Sequence, residues 1–168
     1  VLLLSMPDSF EHTPVLAMRM PNGALASLAG NVDRHHQVAI ADLVLVQQAV
    51  VRTVERLMHE IRPDLVGLSV MTFKRRTALK LIRLMRHIKP DVQIVAGGYD
   101  PSLAPDAYEA PSAGVDFVVR GEGDLTFRDL LRHLERESTV DNVPLIPGLS
   151  IRRGAGFVHG PPRHVSRL

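Results

Sequence analysis

Residues 90–106 read PDVQIVAGGYDPSLAPD. The apolar run from Val92 to Ala96 follows a Pro-Asp pair and stops at two glycines, Gly97 and Gly98. A strand covered on one face alternates apolar and polar residues, whereas a strand buried on both faces reads as an unbroken apolar run. A strand that merely ends can do so with one Asn or Asp. Two consecutive residues without a side chain raise the question of what approaches the backbone so closely. A plainer reading gives one glycine to a turn of positive φ and the other to close packing against a helix.

The same signature recurs on either side. Unbroken apolar runs occupy Val1 to Leu4, Val38 to Ala41, Leu65 to Val70 and Phe117 to Val119. Helical patterns lie between them. Val50, Val54, Leu57, Met58 and Ile61 form one stripe, and Ala78, Leu81, Ile82, Met85 and Ile88 another that ends at Pro90. Phe127, Leu130, Leu131 and Leu134 follow Asp124, a candidate N-cap, and Pro21 is placed to open a helix through Leu25 and Leu28. Residues 105–110 suffice only for a short helix. Strand and helix alternating five times predicts an α/β domain of the doubly wound, flavodoxin-like or Rossmann-like kind. It would have a five-stranded parallel sheet with helices on both faces. After Pro144 the character changes, and PGLSIRRGAGFVHGPPR predicts a small β-hairpin about a Gly-Ala-Gly turn. The expected division is an α/β domain over 1–143 and a hairpin and linker over 144–168.

The bulk composition narrows the function. The 168 residues are 45% hydrophobic and 23% charged with a net charge of +2, an ordinary balance that calls for neither nucleic acid nor an acidic membrane. Two Tyr, five Phe and no Trp leave little for base stacking. No apolar run is long enough to span a bilayer. The absence of cysteine excludes disulfides, thiolate metal sites, a Cys nucleophile and any iron–sulfur cluster held by these residues, and fits a reducing cytoplasm. Starting without Met or a basic leader, the chain reads as a piece of a longer product.

In a doubly wound sheet, ligands gather beyond the carboxyl ends of the strands, near the reversal in strand order. With the order 2-1-3-4-5 the tips after strands one, three, four and five form one rim. The candidate binding residues are therefore Ser69, Val70, Met71 and Thr72 on the third tip, Gly97, Gly98 and Tyr99 on the fourth, and Gly121, Glu122 and Gly123 on the fifth. Neither G-x-G-x-x-G nor G-x-x-x-x-G-K-[ST] follows the first strand, which removes the main support for dinucleotides and triphosphates. Lys74, Arg75 and Arg76 at a helix start oppose the macrodipole, and either are solvated or face an anion or a partner. The eight histidines are scattered, with no i, i+4 pair enclosing an acid, so no metal site is expected. No catalytic constellation stands out.

PDLVGLSVMTF, IKPDVQIVAGGYDPSLAPD, VDFVVRGEGDLTFRDLLRHL and IPGLSIR, in this order and spacing, resemble the cobalamin-binding domain of cobalamin-dependent radical S-adenosylmethionine enzymes. MPNGALASLAGNVDRHHQVAIADL is similar to the first helix and second strand of that family. The resemblance covers nearly the whole chain. It implies that Ser69, with Met71 where the wider fold has Leu, meets the nitrogen of the benzimidazole tail, and that Gly97 and Gly98 admit the ring. It also implies a catalytic radical domain beyond residue 168, in the same polypeptide, carrying a 4Fe–4S cluster and S-adenosylmethionine. That enzyme would be of the methyltransferase or tetrapyrrole-cyclase type. The Asp-x-His-x-x-Gly pattern that supplies a cobalt ligand elsewhere in the fold is not matched by Asp8 and His12, which lie four apart. The cofactor is thus expected base-off and without a His ligand, its lower face covered by residues 6–12. A cofactor-free docking or regulatory domain and a flavodoxin-like mononucleotide binder are the competing readings.

Overall fold

The computed structural model describes residues 1–7, 22–136 and 142–164. The unbroken apolar runs all become strands: β1 (Leu2–Ser5), β2 (Ala39–Asp42), β3 (Leu65–Ser69), β4 (Gln93–Gly97) and β5 (Phe117–Val119). These five are parallel and run in the order β2-β1-β3-β4-β5. The chain reverses its direction of travel across the sheet between β1 and β3.

The sheet has seven strands, not five. The hairpin after Pro144 forms β6 (Leu149–Arg153) and β7 (Gly156–His159), and β6 pairs antiparallel with β5, so the sheet is mixed. The physical reason is the free edge of β5. A buried apolar edge strand needs partners for its backbone N–H and C=O groups, and the hairpin supplies them. Arg120, just after β5, fastens the join: its N–H donates to the Gly148 carbonyl and its guanidinium to that of Gly160.

The helices are α1 (Gly23–Asn31), α2 (Val50–Ile61), α3 (Arg75–Ile88), α4 (Tyr99–Leu103), α5 (Asp106–Glu109) and α6 (Asp124–Arg136). Asn22 caps α1 by accepting from the Leu25 N–H, while Pro21 lies outside the described residues. The apolar stripe of α2 ends at Arg62, which takes up a left-handed conformation before Pro63. The start of α6 differs from expectation. The carbonyl of Gly123 accepts from the Phe127 N–H, so Asp124 stands inside the first turn and its carboxylate accepts from the Ser27 hydroxyl of α1.

Strand periodicity sorts the core into two layers. Leu2, Leu4, Val66, Leu68, Ile94, Ala96 and Val118 pack against α2 and α3, with Tyr108 of α5. Leu3, Leu65, Val95, Phe117 and Val119 face the opposite way, against α1, α6 and the hairpin residues Leu149 and Ile151. A Cβ on Gly160, which follows β7, would stand 1.9 Å from the Ile146 carbonyl oxygen, a backbone atom that cannot turn aside. Gly160→Ala is expected to cost the upper end of the about 1–3 kcal/mol typical of overpacking. Hydrogen exchange should locate that loss in the amides of Ser150 and Ile151; unchanged protection there would refute this account of the join.

Candidate functional site

A cleft of about 290 Å³ opens at the carboxyl end of the sheet, between its α1/α6 face and those two helices. Its floor comes from alternate strand residues: Leu3 of β1, Gly67 and Ser69 of β3, Val95 and Gly97 of β4, and Val119 of β5. Parallel register aligns them in rows, Leu3 beside Gly67 beside Val95, and Ser69 beside Gly97. The walls are Ala24, Ser27 and Leu28 of α1 and Phe127 of α6, with Gly121, Glu122 and Gly123 at one end. The lining is aliphatic and glycyl, with a few polar groups at the mouth.

Gly98 answers the question its sequence posed. Its φ is +100°, and a Cβ there would lie 2.9 Å from both the N and the O of Val70 and 3.4 Å from the Ser69 hydroxyl. The ends of β3 and β4 are therefore pressed backbone to backbone. Val70 donates its N–H to the Gly97 carbonyl at 2.8 Å, and its own carbonyl accepts from Asp100 at 3.0 Å. Gly97 has more room, with only the Val119 Cβ at 3.4 Å, so its bare face is turned to the cleft rather than demanded by a clash. Ser102 extends the linkage: its hydroxyl donates to the Gly98 carbonyl and accepts from the Gly121 N–H, tying the fourth tip to the fifth.

A buried ionic latch lies under this junction. Asp100 is wholly buried and accepts two hydrogen bonds from Arg75, both at 2.7 Å, and one at 2.6 Å from the Tyr108 hydroxyl. Hydrogen bonding from Arg75 is the main reason that the Asp100 carboxyl is held below the usual carboxylate range. Burial first, and Asp100 second, push the Tyr108 hydroxyl well above its ordinary value, so it stays a donor. Of the three cations at this helix start, for which solvation and an anionic partner were both open, Arg75 faces an anion in the interior. Lys74 donates to the Met6 carbonyl at 2.8 Å, and Arg76 is exposed.

Six of the ten residues singled out from sequence meet at the cleft: Ser69, Gly97, Gly98, Gly121, Glu122 and Gly123. The other four do not line it. Val70 follows Ser69, so its side chain points to the opposite layer, and it contributes through its backbone. Met71 borders a second hollow of about 210 Å³ on the far side of Ser69, with Ser5, Asp42 and Lys74. Thr72 opens a single exposed 3₁₀ turn, and Tyr99 starts α4 with 65% of its surface exposed. Gly67, Ala24 and Ser27 went unmarked in the sequence. Gly67 shares the Ser69 face two residues earlier, and 24 and 27 are small residues one helical turn apart. Asp8, His12 and the segment between them lie outside the described residues.

The B12 binding domain profile matches residues 15–131. The chain belongs to the B12-binding domain family. It is 28% identical over 163 residues, 97% of its length, to an uncharacterized methyltransferase, PH0819, of Pyrococcus horikoshii, of which it spans 35%. It is 34% identical over 101 residues to the cobalamin-dependent radical SAM methyltransferase TokK of Streptomyces tokunonensis, covering 60% of this chain and 14% of that protein. Among solved structures, the radical S-adenosylmethionine methyltransferase TsrM from Kitasatospora setae, with cobalamin and a 4Fe–4S cluster bound, superposes with a TM-score of 0.73 at 23% identity. That match covers 95% of this chain and 30% of TsrM, and it establishes likeness of fold. The chain spans about a third or less of these relatives. It resembles the B12-binding module of cobalamin-dependent radical enzymes, as its motifs led us to expect.

Because Asp100 titrates below its ordinary value, its contribution to stability is complete above the usual carboxylate pKa, about 3.9, and is lost as the pH falls through the lowered one. Asp100→Asn in this B12-binding domain should be less stable than the parent at pH 7 yet lose less on acidification below about pH 4. Denaturant midpoints measured from pH 7 downward check this; parallel curves for the two proteins would exclude the latch as an acid-sensitive element.

Proposed function

We propose that this chain is the corrinoid-holding module of a larger radical S-adenosylmethionine enzyme, and that the cleft beside Ser69, Gly97 and Gly98 takes the nucleotide tail of cobalamin. One observation carries the reading: between the sheet and α1/α6 runs an aliphatic cleft whose floor is stripped of side chains at Gly97, while Leu3 leans over Gly67, its Cδ2 2.8 Å from where a Cβ on Gly67 would stand. Its volume of about 290 Å³ exceeds the roughly 150 Å³ that holds a single benzene ring, as a flat bicyclic base requires. Glycine on the floor lets the ring lie on backbone, and Leu3, Leu28, Val119 and Phe127 supply the apolar contacts around it.

In this reading Ser69 donates its hydroxyl to the ring nitrogen, which keeps the base from the metal. Met71, Thr72, Tyr99 and Glu122 border the corrin side of the rim. The spacing of Asp8 and His12 departs from the cobalt-ligating pattern of the wider fold. The corrinoid is accordingly held base-off and without a His ligand. When bound, cobalamin supplies a cobalt centre able to carry a methyl group or exchange electrons. The chain's own task is to bind and orient it and to keep water from the tail. The remaining two thirds of the relatives' length accommodates a catalytic domain in the same polypeptide, with the cluster and S-adenosylmethionine. The hairpin and the residues after it would lead towards that domain.

Mixing the chain with hydroxocobalamin and desalting it tests the reading, because bound corrinoid keeps its visible spectrum. Ala24→Trp, at a solvent-accessible position in the α1 wall, should plug the cleft and lower the retained cofactor at least tenfold with little change in melting temperature. Ser69→Ala should weaken binding by about fivefold, the worth of one hydrogen bond of roughly 1 kcal/mol. A colourless wild-type protein would point instead to a docking domain without cofactor, and retention of flavin mononucleotide alone to a mononucleotide binder.

A further inference from the structure

At the opposite end of the sheet from the cleft, the loop after α1 meets the last turn of α6. The Nε2 of His35 lies 3.0 Å from a carboxylate oxygen of Glu135, a residue 100 positions away. The ring of His36 is tilted against that of His35, with 4.3 Å between centroids. One ligand atom from each of His35, His36 and Glu135 falls within 4.8 Å of the others. The Nε2 of His36 is buried and has no hydrogen-bond partner among the described residues. A buried polar atom left without a partner costs about 1–3 kcal/mol, so something other than the protein is called for at that nitrogen.

We propose that His35, His36 and Glu135 form a site for a divalent transition-metal ion of the zinc class, which clips the segment following α1 to the end of α6. Two imidazoles and one carboxylate are a donor set suited to zinc, with water completing a tetrahedron. Zinc ligands at about 2.0–2.2 Å on tetrahedral corners stand roughly 3.4 Å apart. The present spread closes to that by rotation of His35 and Glu135, each about half exposed. A hollow of about 520 Å³, bordered by the same three residues and by Asp64, Lys89 and Asp91, gives an ion access. Arg132, one turn earlier on α6, does not compete for Glu135. Its guanidinium is held by both carboxylate oxygens of Asp33, at 2.6 and 2.9 Å. The acidic side chains around the hollow, Asp64, Asp91 and Glu135, outnumber the cationic one, Lys89.

The role is structural. The two elements clipped are those whose other ends wall the cofactor cleft, yet the site needs no cofactor to fill. The test is a zinc titration of the tag-free chain without cobalamin, against a chromophoric chelator and by thermal melting. One equivalent should bind in the micromolar range and raise the melting temperature. His36→Ala and, should that variant fold poorly, the half-exposed His35→Ala and Glu135→Gln should abolish both effects, while His87→Ala on α3 leaves them intact. Absence of binding, or binding that survives all three substitutions, would overturn the site.

Discussion

The contact of two backbones at the ends of β3 and β4 governs the arrangement of everything around the cleft. With Gly98 at φ +100°, the chain leaves β4 against the peptide of Val70 instead of passing over it. Any L side chain at 98 would force those strands apart or impose the cost of a left-handed backbone, of order 1 kcal/mol or more for an ordinary residue. Because Val70 and Asp100 then exchange backbone hydrogen bonds with their neighbours, the third and fourth tips behave as one piece. The Asp100 carboxylate fixes the same piece from below through Arg75 and Tyr108. A buried ion pair adds little net stability compared with apolar packing, but it tolerates few alternative geometries. Its use here is to hold a loop junction in register where no apolar side chain fits.

That constraint explains the division of labour within β3 and β4. Leu68, Val70, Ile94 and Ala96 face α2 and α3 and close that layer completely. On the other face Ser69 and Gly97 leave the sheet open to the cleft, and Gly67 makes room for the Leu3 side chain that lies over it. One strand pair thus carries a filled core on one side and the floor of the cleft on the other, and the period of two assigns each residue to its side. A shift of register by one residue would move Val70 and Ala96 into the cleft and the glycines into the core, destroying both.

What the sequence disclosed follows the range of the forces involved. Unbroken apolar runs, helical stripes and the Gly-Gly stop are local, and each yielded the right element within a residue or two. The rim of tips rested on assuming the order 2-1-3-4-5 for the parallel strands, and the sheet has that order. The number of strands was not legible, because hairpin and edge meet only in the folded sheet: residues 149–159 read correctly as a hairpin but carried no sign that β6 would pair with Phe117–Val119. The partnership of Asp100 and Arg75 was equally hidden, since an Asp in Gly-Gly-Tyr-Asp-Pro reads as a turn residue and the basic run at 74–76 fitted solvent as well as an anion. Their partnership spans 25 positions and is visible only in three dimensions. Glu135 with His35 is the same case at longer range, a contact across 100 positions that the helical spacing of histidines does not reveal.

The cleft's width rests on its less robust wall. Of the nine residues of α1, only Leu25 is buried, against Thr126, Phe127, Leu130 and Leu131 on α6. A helix so short and so thinly packed gains little from propensity and depends on tertiary contacts for its place. Those contacts are polar and stand at both ends. Ser27 bonds Asp124 beside the cleft, while Asp33 pairs with Arg132, and His35 with Glu135, beyond the helix's other end. Exposed pairs of this kind are individually weak, roughly 0–1 kcal/mol each. The wall is therefore positioned by several small terms acting together, whereas α6 is held by a buried apolar face of its own.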